Sequence, residues 1–514
     1  MVDRQWKRVG AEKSFEEGEP MGAELDNGDG VLLVKVDGRI HAVKDKCTHY
    51  GGPLSEGVVE EDGVTCPWHT ALFELKSGRM SRAPALDDLP RYPVKVVDGD
   101  VYVGEEQPVA VPAARGEDGR TFAIAGGGAA ALACAEMLRR EGFAGRVVMV
   151  TPEMDRPYDR PNLSKAFMSG DAPAGWIPLR GEGWYADLRL EVMTGRRVDR
   201  LDAGGRTLVL DGGETLAYDE LLLATGGAPR PLPVPGADLA NVFTLRSLKD
   251  AEAIAARADD SEIAVVIGAG FIGLEVAASL RGRGLQVHLV APEKTPMQRV
   301  FGERVGEWLR KLHENAGVTM HMGRDVQAVV GDERVTAVEM DGGERVPADM
   351  VVTGLGIEPV VDYLEGTDLV EDGAVAVDGR LATRAAHVYA AGDIAAVPDP
   401  FARRRRRVEH WTVAQRQGQH AARAMLGSDE DYRMAPFFWT RQFGTSLQYA
   451  GYAPEFDQVV HRGEVEEGDF LAGYYEQGVL RAVSGCGHAR DVIRLAREIE
   501  RGGNVLPDRF EKSS

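Results

Sequence analysis

The sequence predicts a multidomain chain: an all-β N-terminal region, then an α/β reductase-like body with two dinucleotide-binding units, then a C-terminal α+β domain. Three observations predict it. The length, 514 residues, exceeds what one hydrophobic core organises. Residues 1–107 carry short β-branched or alternating runs (31–36, 40–43, 94–97, 101–103) between Gly, Asp and Pro turns. Beyond them a glycine loop occurs twice between an apolar strand pattern and a helical one, at Gly126-Gly127-Gly128 and at Gly268-Ala269-Gly270-Phe271-Ile272-Gly273. A single such loop is a weak signal, but two in that context predict two bound dinucleotides.

Composition narrows the classes. The net charge is −21, which excludes a general nucleic-acid binder. No apolar run approaches the roughly 18 to 20 residues of a membrane span. The first residues are polar with no apolar core of a signal peptide, so a cytoplasmic location is expected. Four cysteines, Cys47, Cys66, Cys134 and Cys486, are too few for a disulfide scaffold in so long a chain.

Two of them have another use. Cys47-Thr48-His49 and Cys66-Pro67-Trp68-His69 read C-x-H and C-x-x-H. Two thiolates and two imidazoles serve either zinc or a [2Fe–2S] cluster with histidines on one iron. A zinc finger groups a cysteine pair and then a histidine pair. Here each loop supplies one of each, which points to iron, with Cys47, His49, Cys66 and His69 as ligands. Residues 44–79 resemble the ferredoxin-type Rieske domains of oxygenase systems. The extra loop cysteines of respiratory Rieske proteins are absent, so the resemblance is to the smaller, lower-potential type. Residues 108–119, rich in Pro, Ala and Gly, read as a linker.

The first glycine loop has the form G-x-G-x-x-A, through Gly126, Gly128 and Ala131. Its glycines admit a pyrophosphate close to the backbone at a helix start. Glu153, past the strand at 146–150, is placed to accept the ribose hydroxyls. The string Arg156-Pro157-Tyr158-Asp159-Arg160-Pro161-Asn162-Leu163-Ser164-Lys165 resembles the flavin-proximal segment of oxygenase-coupled ferredoxin reductases and of the apoptosis-inducing-factor family. That resemblance implies FAD, with Arg160 at its diphosphate and Lys165 near the isoalloxazine, where a cation stabilises the reduced ring. It also implies that Ala224-Thr225-Gly226 closes the FAD domain and that Asp393, after Gly392, hydrogen-bonds the ribityl chain.

By position in the family the second loop, with Gly268, Gly270 and Gly273, holds NADH or NADPH. Its second strand ends at Ala291, and Glu293 stands in for the usual ribose-binding acid, which favours NADH; Lys294 and Arg299 are near. Gly356 lies in a G-x-G-x-x-P strand end resembling the exit from the NAD domain. Glu275 is either a first-turn acid complementing the dipole of a helix over 274–283 or, as the resemblance implies, the partner of Lys165 beside the nicotinamide. Trp411 either packs or faces the cofactor rings. Phe438-Trp439-Thr440-Arg441-Gln442 resembles the F-W-S-D-Q motif that opens the family's C-terminal domain, with Arg441 where aspartate is usual; a helix is expected over 491–501. The run Arg403 to Arg407 is either a solvated loop or a docking patch for the acidic region 1–107, which holds 13 Lys and Arg against 21 Asp and Glu.

The expected layout is 1–107 Rieske domain, 108–119 linker, 120–250 and 377–430 FAD-binding domain, 251–376 NAD(P)H-binding domain, and 431–514 C-terminal domain. The expected activity is an FAD-dependent NAD(P)H oxidoreductase, with Lys165 and Glu275 as catalytic residues. It would pass electrons through the fused [2Fe–2S] cluster and its exposed histidine edge to an oxygenase, ferredoxin, cytochrome or small molecule. A disulfide reductase would need a paired redox cysteine, and Cys134 and Cys486 stand alone. A Rieske oxygenase would need a two-histidine, one-carboxylate iron site, and no compact arrangement of that kind follows the Rieske region. An NADH-responsive redox sensor of the apoptosis-inducing-factor type is the alternative from another class.

Overall fold

Strand β1 (Thr121–Ala125) is buried from Phe122 onward and has no polar alternation, as a strand covered on both faces requires. It is central in a five-stranded parallel sheet ordered Leu190–Met193, Arg146–Val150, β1, Glu220–Leu223, Val388–Ala390. Helix α1 (Ala129–Arg140) follows the first glycine turn. A second parallel sheet repeats the plan around β2 (Ile263–Ile267), in the order Val242–Thr244, Met350–Thr353, β2, Gln286–Ala291, Val318–Met322. Each sheet carries a three-stranded antiparallel meander that turns at an Asp-Gly-Gly, one at Asp211 and one at Asp341. The two halves are one architecture used twice. The computed structural model describes residues 6–61, 63–107, 109, 116–401 and 404–512.

Helix α2 (Phe271–Gly282) begins three residues before the expected 274, so Gly273 lies inside it. A Cβ there would fall 1.9 Å from the Gly268 carbonyl oxygen. The glycine serves close packing of helix on loop. Helix α3 (Trp411–Met425) lies along α1, and Gly418 lets them touch: a Cβ would meet the Ala130 oxygen at 2.2 Å.

The N-terminal domain is all strands and short 3-10 turns, as expected. A four-stranded antiparallel sheet (Val58–Glu60, Gly63–Thr65, Leu72–Glu74, Met80–Arg82) supports the Cys66 loop, and the Cys47 loop leaves the strand Arg39–Lys44. The C-terminal domain is a five-stranded antiparallel sheet whose edge strand is β3 (Phe437–Gln442), packed by a helix over Ala489–Glu500. Among the described residues no helix is long and apolar enough to cross a membrane.

Candidate redox site

The glycine loops at the ends of β1 and β2 open into one cavity of about 940 Å³, walled by both halves and by β3. Gly126 has φ +135°, and a Cβ on it would lie 2.1 Å from the Ala224 oxygen, so the turn excludes any side chain. Gly128 and Gly270 are the N-caps of α1 and α2, and no side chain caps either helix. A Cβ at either would meet nothing within 4 Å among the described residues. The helix starts therefore present bare N–H groups and positive dipole ends to open space, which suits two pyrophosphates.

The residues assigned to the dinucleotides in the sequence line this cavity except Ala131, Gly268, Gly273 and Glu293. Ala131 is fully buried in α1, and Gly268 and Gly273 pack the turn from behind. Glu293 is not brought to the cavity. It lies on a separate open cleft with Arg299 and Phe456, beyond the end of the strand Gln286–Ala291.

Side chains fill in the chemistry. Arg160 pairs with Glu153 at 2.7 Å and donates to the Arg246 carbonyl. Arg246 pairs in turn with Asp393 at 3.0 Å. Lys165 Nζ donates to Glu275 Oε2 at 2.7 Å, and Glu275 is only 3% exposed. Glu275 is the fifth residue of α2 and faces a lysine, so it is not a first-turn dipole acid. Phe271, His410 and Phe438 form an aromatic wall, with Phe271 and Phe438 4.3 Å apart. Burial pushes the His410 imidazole down to about 4, so it is neutral. Trp411 lines the cavity as well as packing on the core. Arg441 is exposed, so the departure from the family motif leaves the wall intact.

The second half of the site is in the N-terminal domain. His49 Nδ1 and His69 Nδ1 face each other at 3.0 Å. The buried Cys47 and Cys66 sulfurs are in hydrogen-bonding contact with each other. Backbone N–H groups of His49 and Tyr50 point at the first sulfur, those of Trp68 and His69 at the second. The Cys47 thiol and these N–H groups pull the Cys66 thiol below its ordinary value. A pair of sulfurs and a pair of nitrogens, rather than one group of four, is what a two-iron cluster with histidines on one iron needs. Among the described residues no three His, Cys, Asp or Glu side chains gather as a single-ion site.

The histidine edge is turned toward the reductase, with His49 half-buried, contrary to the expectation of an exposed edge. His69 is 8% exposed, and its ring lies 4.1 Å from Trp439, which also lines the cavity. The Tyr50 ring stacks on His49 at 3.8 Å, and its hydroxyl donates to Asp159. Arg416 of α3 donates to the Thr70 carbonyl at 3.1 Å and to the Ala83 carbonyl at 3.3 Å. Gln448 donates to the Pro67 and Trp68 carbonyls at 2.7 and 2.8 Å. Around the rim Arg140 meets Asp88, Arg180 meets Asp87 and Arg497 meets Glu60, each at 2.7 Å.

Arg404 to Arg407 bond within the reductase rather than to the N-terminal domain, although Arg405 is exposed. Arg404 pairs with Glu476, Arg405 donates to the Ala396 carbonyl, Arg406 is 2% exposed on Asp399 and the Met434 carbonyl, and Arg407 donates to the Asp393 carbonyl. Arg403 lies outside the described residues. The acidic domain does meet arginines, but scattered ones. Nothing in the sequence marked Arg246, Arg416, Trp439 or Asp159 for these roles; the only available signal for Trp439 and Asp159 was their place inside quoted motifs. Cys134 and Cys486 are buried free thiols, raised by burial, with Cys134 beside the Met425 sulfur.

Two nucleotide sheets sharing one cavity, with an iron–sulfur-type domain against it, define a pyridine-nucleotide flavoprotein reductase with a fused Rieske domain. The chain belongs to the pyridine nucleotide-disulphide oxidoreductase family, whose pattern matches residues 120–418. A Rieske [2Fe–2S] domain matches residues 5–93 and a reductase C-terminal domain matches 437–513. FAD, NAD(P)H and the Rieske cluster are thus its cofactors. It is similar to apoptosis-inducing factor 3 of Homo sapiens, 37% identical over 95% of this chain and 83% of that one. It is also similar to the ferredoxin reductase component of chlorobenzene dioxygenase from Cupriavidus sp. (strain PS12), 35% identical over 76% of this chain and 94% of that one. Among solved structures, a ferredoxin reductase from Rhodopseudomonas palustris matches with TM-score 0.73 and 34% identity over 76% of this chain and 96% of that one. The covalent putidaredoxin reductase–putidaredoxin complex matches with TM-score 0.73 and 30% identity, over 76% and 95%. The fold class and the family read from the sequence both stand.

Proposed function

We propose that the chain takes electrons from NADH or NADPH and hands them, by way of its own Rieske domain, to a separate acceptor such as an oxygenase, a ferredoxin, a cytochrome or a small molecule. FAD, once bound, takes electrons in a pair and releases them singly, which suits a one-electron [2Fe–2S] carrier. The observation that carries the reading is Trp439, a cavity-wall residue whose ring touches His69 of the other domain. The flavin cavity and the histidine pair are thereby neighbours without an intervening water layer.

The residues then have separate tasks. The N–H groups at the starts of α1 and α2 hold the two pyrophosphates. Arg160, steadied by Glu153 and the Arg246 carbonyl, adds positive charge on the flavin side. Lys165 supplies a cation to the ring end of the cavity, and Glu275 aims it. Phe271, His410 and Phe438 exclude water. Cys47, Cys66, His49 and His69 hold the cluster. Because the histidine edge faces the reductase, the external acceptor meets the Rieske domain on another face.

An anaerobic NADH titration of the purified protein, followed by absorbance and low-temperature EPR, tests this. The flavin is expected to bleach and a Rieske signal to grow with it. A bleached flavin beside a cluster that stays oxidised would sink the reading and leave the sensor alternative in front.

A further inference from the structure

The Lys165–Glu275 pair is one end of a longer chain of buried hydrogen bonds. Glu275 Oε2 accepts from Lys165 Nζ at 2.7 Å and from Ser164 Oγ at 2.5 Å. Glu275 Oε1 accepts from Thr440 Oγ1 at 2.7 Å. Gln442 Nε2 donates to Thr440 Oγ1 at 2.9 Å, and Gln442 Oε1 lies 2.7 Å from His313 Nε2. Glu275, Thr440, Gln442 and His313 are all buried, His313 completely.

The proton directions are forced. Thr440 has one hydroxyl proton, and because it accepts from the Gln442 amide, that proton is free for the carboxylate. With its nitrogen toward Thr440, Gln442 turns its oxygen to His313, so His313 carries its proton on Nε2. The other nitrogen, Nδ1, is buried and has no hydrogen-bond partner among the described residues. As a bare lone pair on a neutral ring it costs less than an orphaned N–H, and burial does push this imidazole below its ordinary value. Every donor in the chain therefore points toward Glu275.

The chain also crosses domains. Ser164 and Lys165 belong to the flavin half, Glu275 and His313 to the nucleotide half, and Thr440 and Gln442 to β3. Alternation along a strand puts Thr440 and Gln442 on one face and Trp439 on the other. One strand thus faces the ion pair on one side and the cluster ligand His69 on the other.

We propose that Thr440, Gln442 and His313 are positioning residues for the electron-transfer reaction, their one-way donor chain holding the Glu275 carboxylate, and through it the Lys165 ammonium, in one place on the cavity wall. This rests on the roles given above to Lys165 and Glu275. Losing one hydrogen bond to a charged group should lower a dependent rate about tenfold.

The experiment compares the wild-type holoprotein with Thr440→Val, which keeps the shape, and Thr440→Ser, which keeps the hydroxyl. Anaerobic stopped-flow bleaching at several NADH concentrations separates the limiting rate from the half-saturating concentration. The expected result is a limiting rate about tenfold lower in Thr440→Val, with half-saturation changed less than about twofold. A displaced visible spectrum of the oxidised flavin should accompany it, and Thr440→Ser should match the wild type on each count. A Thr440→Val protein equal to the wild type in rate and spectrum overturns the inference, and so does a Thr440→Ser protein that falls with it. A wild type that NADH does not bleach would remove the proposed function and this inference together. A wild type bleached normally, and matched by Thr440→Val, removes only the inference.

Discussion

The flavin cavity and the seam beneath the Rieske domain meet at Trp439 but are built in opposite ways. The cavity is made of backbone: two glycine turns, two uncapped helix starts and the strand ends around Ala224, Gly356 and Gly392. The seam is made of side chains taken singly from α1, α3, the strand Thr445–Gly451 and the C-terminal helix. Backbone recognition tolerates no change in chain path, so it leaves contiguous motifs. A side-chain seam spreads its energy over many polar contacts, each modest, and leaves no motif.

The largest effect should come from breaking the cavity's backbone. Gly126→Val drives a side chain into the Ala224 carbonyl, and the purified protein should retain less than about a tenth of its flavin, as read from absorbance after extraction. Next comes the ion pair. Lys165→Met leaves Glu275 buried without its cation and should slow anaerobic bleaching by NADH about a hundredfold, with flavin content unchanged. Equal bleaching rates would show that the cation has no part in the reaction.

The seam should respond differently. Arg416→Ala removes the bonds to Thr70 and Ala83, so flavin bleaching should be unaffected while the Rieske signal grows about tenfold more slowly in rapid-freeze EPR. If bleaching slows equally, the seam and the cavity are one unit and the contrast fails. The smallest effects belong to single arginines away from the centre. Arg490→Ser, which removes a bond from the helix Ala489–Glu500 to the Glu56 carbonyl, should change cluster reduction less than about twofold. Arg404→Ser should lower the melting temperature by a few degrees without altering transfer or its salt dependence, because Arg404 serves Glu476 within the reductase.

A pH dependence separates the two regions as well. His410 is held neutral, with its folded value depressed to about 4 against about 6.5 in the unfolded chain. The unfolded state therefore takes up a proton that the folded state does not. Stability is unaffected above pH 7 and falls as pH drops from about 6.5 toward 4. His410→Phe should remove that contribution, about 2 kcal/mol at pH 5, seen as converging wild-type and variant melting curves above pH 7.

Legibility followed the same division. Both glycine loops were legible because each is a short segment whose turn sterics fix the chain path, and the roles proposed for Cys47, His49, Cys66, His69, Lys165, Glu275 and Asp393 rest on equally short motifs. Glu293 lies on a neighbouring cleft rather than in the shared cavity, because a position past a strand end does not say which way the chain then turns. The arginine run forms no single surface, because contiguity in sequence does not make one. On a short strand and its flanks successive side chains diverge, and four of these arginines went to four different internal partners.

By itself the sequence determined the order of domains, the two dinucleotide units and the family. These depend on residues close together in the chain, where turn sterics, helix starts and ligand spacing act over a few positions. Only the tertiary structure decided that the histidine edge faces inward on Trp439, that Arg416 rather than Arg404 to Arg407 secures the Rieske domain, and that Glu275 collects a donor chain from three domains. Those outcomes depend on packing between segments hundreds of residues apart, which local spacing cannot encode.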